Sequence, residues 1–121
     1  MTNQINFTFQ DSDWTTPTTF PDLKNAPEIA IDLETKDPDI KTKGPGWPTM
    51  NGNVIGISVA TDHFKGYYPI AHEAGSNMDI RMVLNWVQDI CRSKGIKIFH
   101  NAAYDIGWLR AHGIVVYGQI A

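Results

Sequence analysis

Asp32 and Glu34 stand two residues apart near the end of an apolar run, Ile29-Ala30-Ile31-Asp32-Leu33-Glu34-Thr35. In an extended strand, residues i and i+2 share a face, so the two carboxylates stand together while Ile29, Ile31 and Leu33 face the other way. Like charges this close repel unless a cation lies between them, and the pair reads as a strand end built to hold metal. A plain polar strand end is the alternative the pair alone leaves open. A second acidic position follows in His100-Asn101-Ala102-Ala103-Tyr104-Asp105-Ile106-Gly107-Trp108-Leu109. Here Asn101 and Asp105 are four apart at the opening of a helix, so one helical face carries both toward the carboxyl end of the preceding strand. If that strand lies beside the first, Asp32, Glu34 and Asp105 converge where α/β sheets usually bind ligands.

The elements that must position these groups belong to a single domain. A chain of 121 residues, 42% apolar and 19% charged, has the composition of an ordinary globular domain with one core. Cys91 is the only cysteine, which excludes an internal disulfide and a cysteine-based zinc cluster and fits a reducing compartment. No apolar run approaches the roughly 18 residues of a membrane span, and residues 1–13 lack the regions of a signal peptide. A soluble, intracellular protein is expected, cytoplasmic or in a host-cell cytoplasm if viral, with no membrane partner. The net charge of −3 counts against a generic nucleic-acid binder. A metal-bound carboxylate site escapes that objection, because divalent cations invert the local charge and receive phosphate oxygens.

In chain order, residues 1–27 read as an arm or linker with scattered aromatics, Phe7, Phe9, Trp14 and Phe20, and residues 28–121 as the folded domain. The strand at 29–35 leads into Lys36–Asn53, whose density of Pro and Gly forbids a regular element. In that long loop Trp47, Lys36, Lys41 and Lys43 are candidates for touching a substrate strand, the alternative being a solvated loop with Trp47 packed inward. Val54–Thr61 and Gly66–Ile70 form a hairpin, with Pro69 placing the latter strand at an edge. Asp79 N-caps an amphipathic helix through Arg92, and Gly95 is its expected stop. A short strand at 96–99, a helix from about Ala102 to His112 closed by Gly113, and a last strand at Val115–Tyr117 complete the series. An antiparallel three-strand meander followed by two crossover units argues α/β with a mixed sheet. Right-handed crossovers stepping the same way put both helices on one face, leaving the other to be covered by the N-terminal aromatics or by a segment following residue 121.

Ile31-Asp32-Leu33-Glu34-Thr35 resembles the first motif, D-x-E, of the DEDD superfamily of 3′-5′ exonucleases, and Asn101 to Asp105, with Leu109, resembles the second, N-x-x-x-D. Their separation, and Tyr68-Pro69-Ile70-Ala71-His72 between them, are similar to the proofreading domain of polymerase-I-like, family A DNA polymerases. The resemblance covers about residues 28 to 117. It implies a ribonuclease H-like fold with two Mg²⁺ or Mn²⁺ ions held by Asp32, Glu34 and Asp105 as the catalytic and metal-binding residues. Two cations roughly 3.5 to 4 Å apart would serve the attacking water and the leaving 3′ oxygen of a phosphodiester. In family terms Asp32 bridges both ions, Glu34 holds the water-activating one and Asp105 binds the other. Asn101, Thr35, Trp47 and Leu109 fall to the substrate side. Hard oxygen ligands suit Mg²⁺ and Mn²⁺, and the scattered His63, His72, His100 and His112 offer no zinc spacing. Cys91 is expected as a small core residue, and Trp86 and Trp108 as packing groups.

The sequence departs from the family in its third motif, Tyr-x-x-x-Asp or His-x-x-x-x-Asp, which is absent: Tyr117 has Ala121 four residues on. The expectation is therefore a truncated domain, incomplete at its carboxyl end and weakly active or inactive alone, because lost metal-site partners cost at least roughly 10 to 100-fold. The expected partners are a single-stranded DNA 3′ end, with RNA possible, and a polymerase domain in a parent protein. The alternatives are a ribonuclease D-like RNA exonuclease, a catalytically incomplete nucleic-acid-binding or docking module, and an unrelated α/β domain whose acidic residues are merely surface.

Overall fold

The computed structural model describes residues 19–73 and 75–121. Four strands, β1 (Glu28–Lys36), β2 (Asn53–Ala60), β3 (Lys65–Pro69) and β4 (Ile96–Phe99), form one sheet in the order β3-β2-β1-β4. β1 pairs antiparallel with β2 and parallel with β4, and β2 pairs antiparallel with β3, so the sheet is mixed and β3 lies at its edge as Pro69 requires. Helices α1 (Ile40–Lys43), α2 (Ile80–Arg92) and α3 (Ala102–Ala111) complete the α/β architecture, with a 3₁₀ turn at Trp47–Thr49.

The alternation read in β1 decides which face becomes the core. Ile29, Ile31 and Leu33 are buried with Ile57, Val59, Tyr68 and Phe99 from the neighbouring strands, and the apolar stripe of α2 and the buried side of α3 join the same cluster. The in-register row on the other face runs Asp32, Ser58, Tyr67 and is only half-buried. The register slips between Glu34, opposite Gly56, and Thr35, opposite Val54, leaving Ile55 as an extra residue in β2. Such a bulge re-aims side chains, and here Thr35 and Val54 turn toward α3: the Thr35 hydroxyl meets Tyr104, and the Val54 amide faces His112 Nε2 at 3.5 Å. The buried sides of α2 and α3 therefore pack on the Ile29, Ile31 and Leu33 face, as the crossover rule required, and only the first turn of α3 comes within reach of Asp32 at the strand end.

Asp79 caps α2 through its Oδ1, which accepts from the amides of Arg81 and Met82 at 2.9 and 3.2 Å. Its carboxyl end differs from expectation: Ser93, not Gly95, is the C-cap. Lys97, fully buried on the core face of β4, donates its ammonium to the Ser93 carbonyl, where a cation complements the helix dipole. Gly95 instead lies just before β4, so close to the Ala26 carbonyl that a Cβ would collide with it. The loop after β1 is not wholly irregular, since Lys41 and Lys43 lie in α1 and Trp47 opens the 3₁₀ turn. The last strand expected at Val115–Tyr117 does not form. Three residues instead run beside β4 further on, where the amides of Lys97 and Phe99 donate to Gln119 and Ala121 carbonyls and Ala121 donates back to Lys97. Tyr117 is occupied otherwise, donating its amide to the Cys91 carbonyl past the end of α2.

Of the N-terminal aromatics, Phe7, Phe9 and Trp14 fall outside the described residues. Phe20 does not cover the open face; it stacks on Tyr68 at 5.5 Å between centroids and tilts against Trp86, on the helix side. Trp86 donates its indole N–H to the Pro21 carbonyl at 2.8 Å, so this part of the leading segment is packed on the core. Cys91 is buried in the same cluster and Trp108 is fully buried, both as packing groups.

Candidate active site

β1 lies between β2 and β4, and the last parallel pair, Ile31 with Phe99, sets the two halves of the site side by side just before Asp32. β4 ends at Phe99, one residue past which His100 faces the Asp32 carboxylate electrostatically. α3 opens with Asn101 as its N-cap residue, exposed and making no side-chain cap bond, and the Asp105 amide closes the first turn on the Asn101 carbonyl at 2.9 Å. That turn delivers Asp105 inward.

Asp105 is 3% exposed and its Oδ2 is buried without a hydrogen-bond partner. Burial, reinforced by the charge of Asp32, pushes its carboxyl up to about 7. Asp32 is likewise raised, chiefly by burial, with His100 and the Leu33 backbone opposing and Glu34 adding to the rise. Asp32 is thus electrostatically linked to Glu34 on its own strand and to Asp105 on α3. Among the described residues no three His, Cys, Asp or Glu side chains come together as a closed metal-binding group, and Asp32 is the one carboxylate within reach of both Glu34 and Asp105. The donor chemistry nevertheless fits a hard divalent cation: all three are carboxylates, and the orphaned buried oxygen of Asp105 has no proton donor to satisfy it.

Glu34 is exposed but held. The Tyr67 hydroxyl donates to its Oε2 at 2.7 Å, and His72 Nε2 lies 3.9 Å from the same oxygen while bonding the Tyr67 hydroxyl. The sequence reading did not single out this pair. The signal was the hairpin register, which sets Tyr67 opposite Ser58 and Ser58 opposite Asp32, on the carboxylate face.

The remaining candidates separate. Thr35 Oγ1 is 2.7 Å from Tyr104 Oη, and that hydroxyl donates to Asp37 Oδ2 at 2.9 Å, tying β1 to α3 beside the carboxylates. Asp37 also accepts from the Gly46 amide at 3.1 Å, anchoring the loop that carries Trp47. Trp47 is half-buried, its indole lying on the backbone of Gly107 in α3. Leu109 is 1% exposed and belongs to the core. Lys36 pairs with Glu73 at 2.8 Å.

Compared with known proteins, the chain is 38% identical over 113 residues to a DNA-directed DNA polymerase of Pseudomonas phage M6, the match covering 89% of this chain and 17% of that polymerase. No family model matches the chain. Among the described residues no helix is long and apolar enough to cross a membrane. The chain spans less than a fifth of the curated relative it matches, and the relationship is to one segment of a DNA polymerase.

Proposed function

We propose that the chain belongs to a 3′-5′ exonuclease domain, ribonuclease H-like in fold, that serves as the proofreading portion of a DNA polymerase. The observation that carries this reading is the buried, unpartnered Asp105 oxygen set against the charge of Asp32, an arrangement that is unfavourable without a cation. The sheet order, with the carboxylate strand between an antiparallel hairpin partner and a parallel crossover strand, supports it. The name of the phage relative favours DNA over RNA as the substrate.

Asp32, Glu34 and Asp105 would hold Mg²⁺ or Mn²⁺. When bound, such ions generate a nucleophilic water near neutral pH and stabilise the leaving 3′ oxygen of the scissile phosphodiester. The chain's own residues supply placement. The β1–β4 pairing fixes Asp32 against the first turn of α3, and the Thr35–Tyr104–Asp37 bonds hold strand to helix so that the spacing is kept. Asn101, exposed at the start of α3, would meet a terminal nucleotide.

The test is release of mononucleotides from 3′-labelled single-stranded DNA with Mn²⁺ or EDTA, run beside melting curves. Slow Mn²⁺-dependent release and an Mn²⁺-induced rise in melting temperature are expected, both lost in Asp32→Ala/Glu34→Ala. Release that persists in EDTA, or no response to Mn²⁺ in either measurement, refutes the reading. A second reading, a module that binds a nucleic-acid end without cleaving it, is favoured by the failure of the carboxylates to close into one metal-binding group. An Mn²⁺-dependent rise in melting temperature with no release selects it.

A further inference from the structure

The edge strand β3 carries a device that bears on the central one. Tyr67 reaches across β2 to β1, and it can do so because residue 56 is glycine: a Cβ there would stand 2.7 Å from Tyr67 Cε1 and closer still to the ring's hydroxyl end. The hydroxyl so delivered donates to Glu34 Oε2. Because an ionised carboxylate only accepts, this fixes the direction of the bond and leaves the lone pairs of Tyr67 Oη to accept from His72 Nε2–H. His72 is held in turn by Asn77, whose Oδ1 accepts from the His72 amide at 2.7 Å and whose Nδ2 donates to the His72 carbonyl at 2.9 Å. The chain Asn77, His72, Tyr67, Glu34 thus runs over the open sheet face and ends on one oxygen of the most exposed carboxylate of the site.

We propose that Tyr67 and His72 are positioning residues for Glu34, fixing its carboxylate orientation so that it is ordered before a cation arrives. The proposal rests on the metal-binding reading given above. A glutamate on a solvent-facing strand loses side-chain freedom when it ligates a metal, and a partner that has already immobilised it removes part of that cost. Partners of metal ligands are typically worth about 10 to 100-fold in metal affinity.

The experiment is Mn²⁺ titration of the 121-residue chain followed by the loss of the free-ion EPR signal, for the wild type, Tyr67→Phe, His72→Ala, His72→Gln, Glu34→Gln and the Tyr67→Phe/Glu34→Gln pair. Tyr67→Phe keeps the ring over Gly56 and removes only the donor, so the fold is preserved. Tyr67→Phe and His72→Ala are each expected to weaken Mn²⁺ binding by about 10-fold. His72→Gln, which retains an N–H donor, restores most of the affinity. Tyr67→Phe adds no further loss once Glu34 is Gln. Wild-type binding that Glu34→Gln weakens and Tyr67→Phe does not, or an equal Tyr67→Phe effect in the Glu34→Gln background, overturns the positioning role and leaves the metal reading standing. No Mn²⁺ binding by the wild-type chain overturns the metal reading and the positioning role with it.

Discussion

Gly107 sits within α3, where alanine is ordinarily worth about 1 kcal/mol more than glycine. In this chain the Gly107→Ala substitution should nonetheless destabilise. A Cβ at this position would lie 2.5 Å from Trp47 Nε1 and 2.7 Å from Cδ2, far inside the 3.5 to 4.0 Å at which such atoms attract. Three ring atoms must retreat together, and because Trp47 belongs to a loop fastened by Asp37 to Gly46 and Tyr104, the indole cannot swing away freely. Overpacking of this kind costs about 1 to 3 kcal/mol, which outweighs the helix gain and leaves a net loss of about 1 kcal/mol. In a Trp47→Ala background the obstacle is gone, and the same substitution should stabilise by about 1 kcal/mol, a coupling of about 2 kcal/mol across the cycle. Urea titration of the four proteins measures this directly, and melting temperatures should move by roughly 4 °C per kcal/mol for a domain of this size. A Gly107→Ala effect of the same sign in both backgrounds would show that Trp47 does not lie on α3 and would remove the anchored-loop description.

Other perturbations follow from single interactions. In EDTA the folded Asp105 carboxyl holds its proton to about pH 7, whereas the unfolded chain releases it near 3.8, so stability is full below 3.8 and is lost as pH rises through 7. Asp105→Asn should therefore flatten that decline and exceed the wild type at pH 8 by about 2 kcal/mol, once screening by nearby solvent is allowed for; wild-type and variant curves that stay parallel from pH 4 to 8 would contradict the buried carboxylate. Asp79→Ala removes the cap from two amides and should cost about 1 kcal/mol in urea denaturation, while Asp79→Asn costs little. Burial pushes the Cys91 thiol up to about 12, so its reaction with a disulfide reagent at pH 8 should track global unfolding; rapid reaction of the native chain would place the residue at the surface.

Much of the architecture was legible because it rests on local signals. The period-two pattern of β1, the glycine-bounded hairpin and the Asp79 cap with its apolar stripe each specify an element without reference to distant parts of the chain, and each was found where expected. The last strand was misplaced because Val115, Val116 and Tyr117 carry strand-forming side chains, yet the Tyr117 amide is drawn to the Cys91 carbonyl and pairing with β4 is deferred to Gln119–Ala121. Gly95 resembled a helix stop in spacing alone; the preceding turn is closed by Ser93 and by the ammonium of Lys97, a contact that depends on tertiary burial. Asp32, Glu34 and Asp105 were singled out from residue type and spacing, and the structure sets Asp32 within electrostatic reach of both Glu34 and Asp105. The Tyr67–His72 support was not, since it needs the register of β3 on β2 and the missing side chain at Gly56. Leu109, expected on the substrate side, is buried in the core, which a motif position does not report.

The parallel ladder between β1 and β4 extends only from Glu28–Ile96 to Ile31–Phe99. β2 follows β1 after the loop at 37–52 and β3 follows β2 after only residues 61–64, whereas β4 must travel back across the whole of α2 to reach β1. Folding should accordingly proceed in two stages, with a hairpin unit bearing Asp32 and Glu34 forming from nearby contacts and a later docking of the β4–α3 unit bringing Asp105. Opening the ladder without melting the hairpin would split the acidic cluster into harmless halves. Amide exchange at Ile98 and Phe99 should then be faster than at Ile57 and Val59, and an opening of that kind would relieve the charge repulsion that the closed sheet imposes.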